Sequence, residues 1–144
     1  MEDLFQAEIM RISSLKSGFI RDIAYEPLSI ESVRNLRDGL HDWYRTLPEQ
    51  ISMNQLVAAT NTALTRRLTY YLHLIHLGTI MVLYRRILSK CLMEREKMES
   101  ASADLLPEVY TLSKEGVTAA KQSARISHLI LSEEGDSRQC WMCM

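Results

Sequence analysis

The chain has 144 residues, 47% of them apolar and 24% charged, with only five Gly and three Pro. That is the composition of one folded domain and excludes a disordered or low-complexity protein. Seventeen basic residues against eighteen acidic ones leave a net charge of -1. This gives no general attraction to nucleic acid or to an anionic membrane, so the segment is not expected to touch DNA directly.

Apolar spacing predicts four helices. The first spans about Leu4 to Tyr25, with Phe5, Ile9, Ile12, Phe19 and Ile23 on one face and Leu15 beside it. Glu26-Pro27 ends it, because a residue before proline avoids the helical region. The second begins after Ser29, a good N-cap, with Glu31 near the positive end of the helix dipole. Ile30, Val33, Leu36, Leu40, Trp43 and Leu47 form its stripe, Arg34, Arg37, Asp38 and Asp42 lie off it, and Pro48 stops it. An irregular connection over Glu49–Thr62 follows, with a short helical turn expected near Leu56.

The third helix is the longest, from about Leu64 to Met98. Leu64, Leu68, Tyr71, Leu74, Ile75, Gly78, Met81, Val82, Leu88 and Cys91 put apolar residues on nearly every side, the mark of a central helix. Trp43 is expected to bury its indole against it. Its end, MEREKMES, turns polar, and Ser100 to Pro107 reads as a connection. The fourth helix covers about Glu108 to Glu133, with a stripe of Val109, Leu112, Gly116, Ala119, Ser123, Ile126 and Ile130. Small residues in its middle admit a neighbouring backbone closely. No strand pattern is present, so the expected fold class is all-α: an irregular bundle of about four long helices.

Leu68 to Tyr84 is a stretch of seventeen residues with no formal charge. That is near the short limit of a membrane span. It also holds His73, His76, Thr69, Thr79 and three tyrosines, whose polar atoms are costly in hydrocarbon, so a buried helix is the expectation. MEDLFQAEIM has no basic stretch before an apolar run and does not read as a signal peptide. An intracellular setting follows as the expectation for the three cysteines.

Residues able to carry chemistry are few. Cys140-Trp141-Met142-Cys143 has zinc-ligand spacing, but a structural zinc needs four ligands and the only other thiol is Cys91. Packing cysteines are the expected reading, and no bound zinc is expected. His73 and His76 share a helix face and could pair on a metal; buried, hydrogen-bonded histidines are the commoner outcome. Arg85 and Arg86 could hold a phosphate or make ion pairs. No nucleophile elbow, phosphate-cradling loop or paired-carboxylate signature occurs, so no enzymatic activity, catalytic residue, cofactor or metal is expected.

The order of these segments resembles the middle homology region of fungal zinc-cluster transcription factors. VRNLRDGLHDWYRTLPEQI is similar to that family's W-x-x-x-L-P element, with Leu36 and Leu40 leading to Trp43, Leu47 and Pro48. YLHLIHLGTIMVLYRRIL is similar to its Leu-His helix, through Leu72-His73 and Tyr84-Arg85, with Arg86 where a proline is frequent. GVTAAKQSARISHLI matches its Ala-Ala segment at Ala119-Ala120, with Gly116 where cysteine is common. IMRISSLKSGFIRDIAY resembles the helix before the tryptophan helix, and RQCWMCM the start of a further core helix.

The resemblance implies that residues 1–144 are part of a larger regulatory domain, nuclear and concerned with transcription by RNA polymerase II. Its implied partners are the rest of its own transcription factor and a small effector or a co-regulator. Zinc is implied only for a DNA-reading cluster of six cysteines, which these residues lack. An incomplete domain would expose apolar side chains along one side of the Leu68–Leu88 helix. The alternative is a helical interaction or scaffold module unrelated to transcription.

Overall fold

In the computed structural model, residues 2–53, 62–95 and 106–134 are described. They form α1 (Glu2–Tyr25), α2 (Ile30–Arg45), α3 (Ala63–Arg95) and α4 (Leu106–Glu134), with one 3-10 turn at Glu49–Ile51. The fold is all-α, and no strand occurs among the described residues. The expected turn near Leu56 and the Cys140–Cys143 segment lie outside the described residues.

At a rise of about 1.5 Å per residue, α3 is a rod of about 50 Å. It packs most extensively on α4 and then on α1, while α2 lies against α1 and α4. The reason is local in α2: Val33, Leu36, Leu40 and Trp43 recur at three- and four-residue steps and are all buried. Phe5 and Ile12 bury the matching face of α1, and Leu72, Leu83, Tyr84 and Ile87 of α3 close this main cluster. A second cluster joins Tyr70 and Leu77 of α3 to Ala119, Ile126 and Ile130 of α4. The small residues of α4 do not mark an unusually close approach: a Cβ on Gly116 would stand 3.8 Å from the Tyr84 ring, an ordinary contact, and Ala120 and Ala124 are exposed.

Polar side chains stitch the helix ends. Ser29 Oγ accepts from the Ser32 amide at 3.1 Å, and the Ser29 amide donates to Ser32 Oγ at 3.0 Å. This capping box satisfies amides that the first turn leaves without carbonyl partners. Lys90 of α3 donates to the carbonyls of Ile23, at 2.6 Å, and Glu26, placing a cation at the negative end of α1. Arg11 of α1 reaches Thr46 at the end of α2. Arg34 and Arg37 both bind Glu108, at 2.8 and 3.0 Å, and lock α2 to the first turn of α4. Glu108 therefore does more than sit solvated on a helix face, and the two guanidiniums hold its carboxyl below the usual range.

Three expectations need correction. Helix α2 ends at Arg45 rather than Leu47, because Pro48, at φ -54 and ψ 138, keeps the residue before it out of the helix. Pro107 lies in the first turn of α4, not in a connection, since proline fits where no intrahelical amide bond is required. Apolar residues do lie on nearly every side of α3, but the reading of it as a central helix is too broad. Leu64, Ile75 and Val82 are exposed, and its buried face includes Thr69, His73, His76 and Thr79. Thr69 and Thr79 satisfy their hydroxyls on carbonyls one turn back, at 2.9 and 2.8 Å. Among the described residues, no helix is long and apolar enough to cross a membrane.

Candidate ligand-binding cleft

Consecutive residues on a helix point about 100° apart, so a neighbouring pair can straddle a ring on a facing helix. Trp43 and Tyr44 do this around His76. The Trp43 ring stacks on His76 at 4.8 Å between centroids with 29° between planes. Tyr44 stacks on the same imidazole at 5.4 Å and 28°. Tyr44 also meets the His73 ring edge-on at 5.5 Å. Trp43 is 1% exposed and Tyr44 45%, so the stack runs from the core to the surface.

The two histidines differ. His73 Nε2 lies 3.3 Å from the Ile51 carbonyl, which can only accept, so the geometry calls for a proton on Nε2. Burial lowers its pKa, and the carbonyl partly offsets that. Neither ring nitrogen of His76 makes a hydrogen bond of regular geometry, although the Leu40 carbonyl lies close enough to act on the ring. Burial lowers its pKa to about 4, with His73 and His41 adding in the same direction and the Leu40 carbonyl acting against them. The expected burial holds for both histidines and the expected hydrogen bond for His73, whereas His76 has only the Leu40 carbonyl beside it, outside regular hydrogen-bond geometry. Trp43 and Tyr44 occupy the faces of the His76 ring, where they provide stacking but no acceptor.

Beside this stack a cleft of about 780 Å³ opens between α2, α3 and α4. The buried His73 and His76 and the partly exposed Tyr44 line it, and Met53, Leu77, Ile80 and Ile126 give it apolar walls. Lys114, Thr118, Gln122, Arg125 and Leu129 of α4 recur at steps of four, four, three and four, so they present one edge to the opening. Glu115 also lines the cleft and accepts from the Tyr84 hydroxyl at 2.7 Å. That bond and burial push the Tyr84 phenol far above its ordinary pKa. His41 Nε2 is 3.8 Å from the same carboxylate.

The motif residues do not share one environment. Leu36, Leu40, Trp43, Leu72, His73, Tyr84 and Ala119 are buried. Leu47 and Pro48 are half-buried, and Arg85 and Ala120 are exposed. Among the described residues Arg85 and Arg86 form no ion pair, so the ion-pair reading does not hold there. Leu40, His73 and Ala119 reach the cleft from three different helices, and Trp43 supports it through His76. Tyr44, Lys114, Gln122 and Arg125 were not legible as site residues. Each belongs to a polar helix face, and no local signal separates a cleft edge from a solvated surface. No group of three or more His, Cys, Asp or Glu side chains comes together among the described residues. Comparison with known protein families, curated proteins and solved structures finds no match.

Proposed function

We propose that this chain is a helical regulatory region of a transcription factor of the fungal zinc-cluster type. It acts in the nucleus, catalyses no reaction, and answers to a small organic effector held between α2, α3 and α4. The rest of its own transcription factor receives the signal, and DNA is contacted elsewhere in that protein. The resemblance at Trp43-Leu47-Pro48, Leu72-His73, Tyr84-Arg85 and Ala119-Ala120 supports the transcriptional part. The observation that carries the effector part is convergence: Leu40, His73 and Ala119, one from each of three motif helices, line a single cleft. Its volume lies in the range of small-molecule pockets, and its mix of apolar walls with a few polar groups is their usual chemistry. A ligand there bridges three helices and so binds one arrangement of them better than another, as a regulatory ligand must.

The test is a chimera in which the chain links a heterologous DNA-binding domain to an activation domain in a nuclear reporter. Output is expected to change several-fold across a panel of added organic metabolites. Thr118→Trp, at an exposed position lining the cleft, is expected to abolish that response. Output that ignores every metabolite, or a response that Thr118→Trp leaves intact, would refute the reading.

A further inference from the structure

The charge at the cleft mouth is one-sided. Among the described residues Glu115 is the only carboxylate lining the cleft, and it accepts from the Tyr84 hydroxyl. Three cationic side chains line the same cleft: Arg45 of α2, and Lys114 and Arg125 on the same helix as Glu115. Arg45 is paired with Asp42. Lys114 rests its ammonium 4.5 Å from the centre of the Tyr110 ring rather than on an acid. Arg125 makes no ion pair among the described residues. Two cations thus stand on one helix edge without a carboxylate partner, three turns apart, with Thr118 and Gln122 between them.

Deeper in, the character reverses. The walls are apolar, Tyr44 stays partly exposed beside the opening, and His73 and His76 are buried. His76 lines the cleft without a hydrogen bond of regular geometry and carries no charge near neutral pH. Charge selection therefore falls to the rim and shape selection to the interior. Resting on the reading that the cleft holds an effector, we infer that its ligand is an amphipathic organic anion. Its flat or extended apolar body packs beside Tyr44 and the wall of Leu77, Ile80 and Ile126. Its carboxylate is met by Arg125, whose planar fork suits that group. Lys114 lies about 16 Å away along the same helix, too far to share the carboxylate, and adds to the positive potential of the rim.

The experiment is a fluorescence titration of the full chain with 1-pyrenebutyrate and with its neutral counterpart 1-pyrenebutanol. Saturable one-to-one binding is expected, with the anion favoured about tenfold, the size of one charge-assisted contact. The anion's advantage is expected to shrink as salt is added, because the rim is open to solvent. Lys114→Gln with Arg125→Gln removes exposed side chains only, and thermal melts check that the variant folds. It is expected to weaken pyrenebutyrate about tenfold and to leave pyrenebutanol unchanged. Thr118→Trp is expected to weaken both probes. Equal binding of both probes, unaffected by the double substitution, overturns the anion inference and leaves the effector reading standing. Binding of neither probe, or binding that Thr118→Trp does not weaken, overturns the anion inference along with the use of the cleft.

Discussion

His76 makes this fold sensitive to acid in a defined window. Its imidazole is buried between Trp43 and Tyr44, makes no hydrogen bond of regular geometry, and binds a proton only near pH 4 instead of 6.5. The unfolded chain binds that proton at the ordinary pH, so protonation favours unfolding. Stability is therefore intact above about 6.5 and is lost as the pH falls toward 4. The full difference corresponds to a ceiling of about 3 kcal/mol, of which about 2 kcal/mol is gone by about pH 5. His73, lowered for the same reason, adds in the same direction. Glu108 has a lowered carboxyl pKa, so its contribution is lost only in the more acidic carboxylate range. The assay is urea unfolding at about pH 7 and about pH 5, for the natural chain and for His76→Phe. Phenylalanine keeps a flat ring in the stack and leaves no partner unsatisfied. The variant is expected to be at least as stable at neutral pH and to lose about 2 kcal/mol less on acidification. An unfolding midpoint in the natural chain that does not move between the two conditions would refute the reasoning. So would a His76 proton resonance that titrates near 6.5.

Other substitutions probe the packing. Trp43→Ala removes the largest fully buried side chain and is expected to cost about 3–5 kcal/mol in denaturant unfolding; a change below about 0.5 kcal/mol would mean a surface site. Gly78→Ala is expected to stabilise more than Gly39→Ala. Gly78 has nothing within 4 Å, so alanine there gains about 0.5–1 kcal/mol of helix propensity, whereas a Cβ at Gly39 would stand 3.0 Å from the Phe19 ring, which must shift to admit it. Ser29→Ala removes half of the capping box and is expected to cost about 1 kcal/mol, read as a lower melting temperature.

Where hydropathy was lopsided, the sequence alone was enough. Prolines 27 and 48 and the serine at 29 marked the limits of α2 to within about a turn, and its six-residue stripe contained the four residues it buries, with Ile30 and Leu47 only half-buried. The stripe of α4 was equally legible: Leu112, Ala119, Ile126 and Ile130 are its buried positions. Both follow from backbone geometry, since a 3.6-residue period turns local composition into a direction. In α3 the apolar residues surround the axis, and composition points nowhere. Only its neighbours decided that His73 and His76 turn inward while Ile75 and Val82 turn out. The Trp43–His76–Tyr44 stack, the grip of Arg34 and Arg37 on Glu108, and the cleft between three helices were likewise beyond the sequence. Each joins residues far apart along the chain, and local spacing sets which face a helix buries but not which partner it meets there.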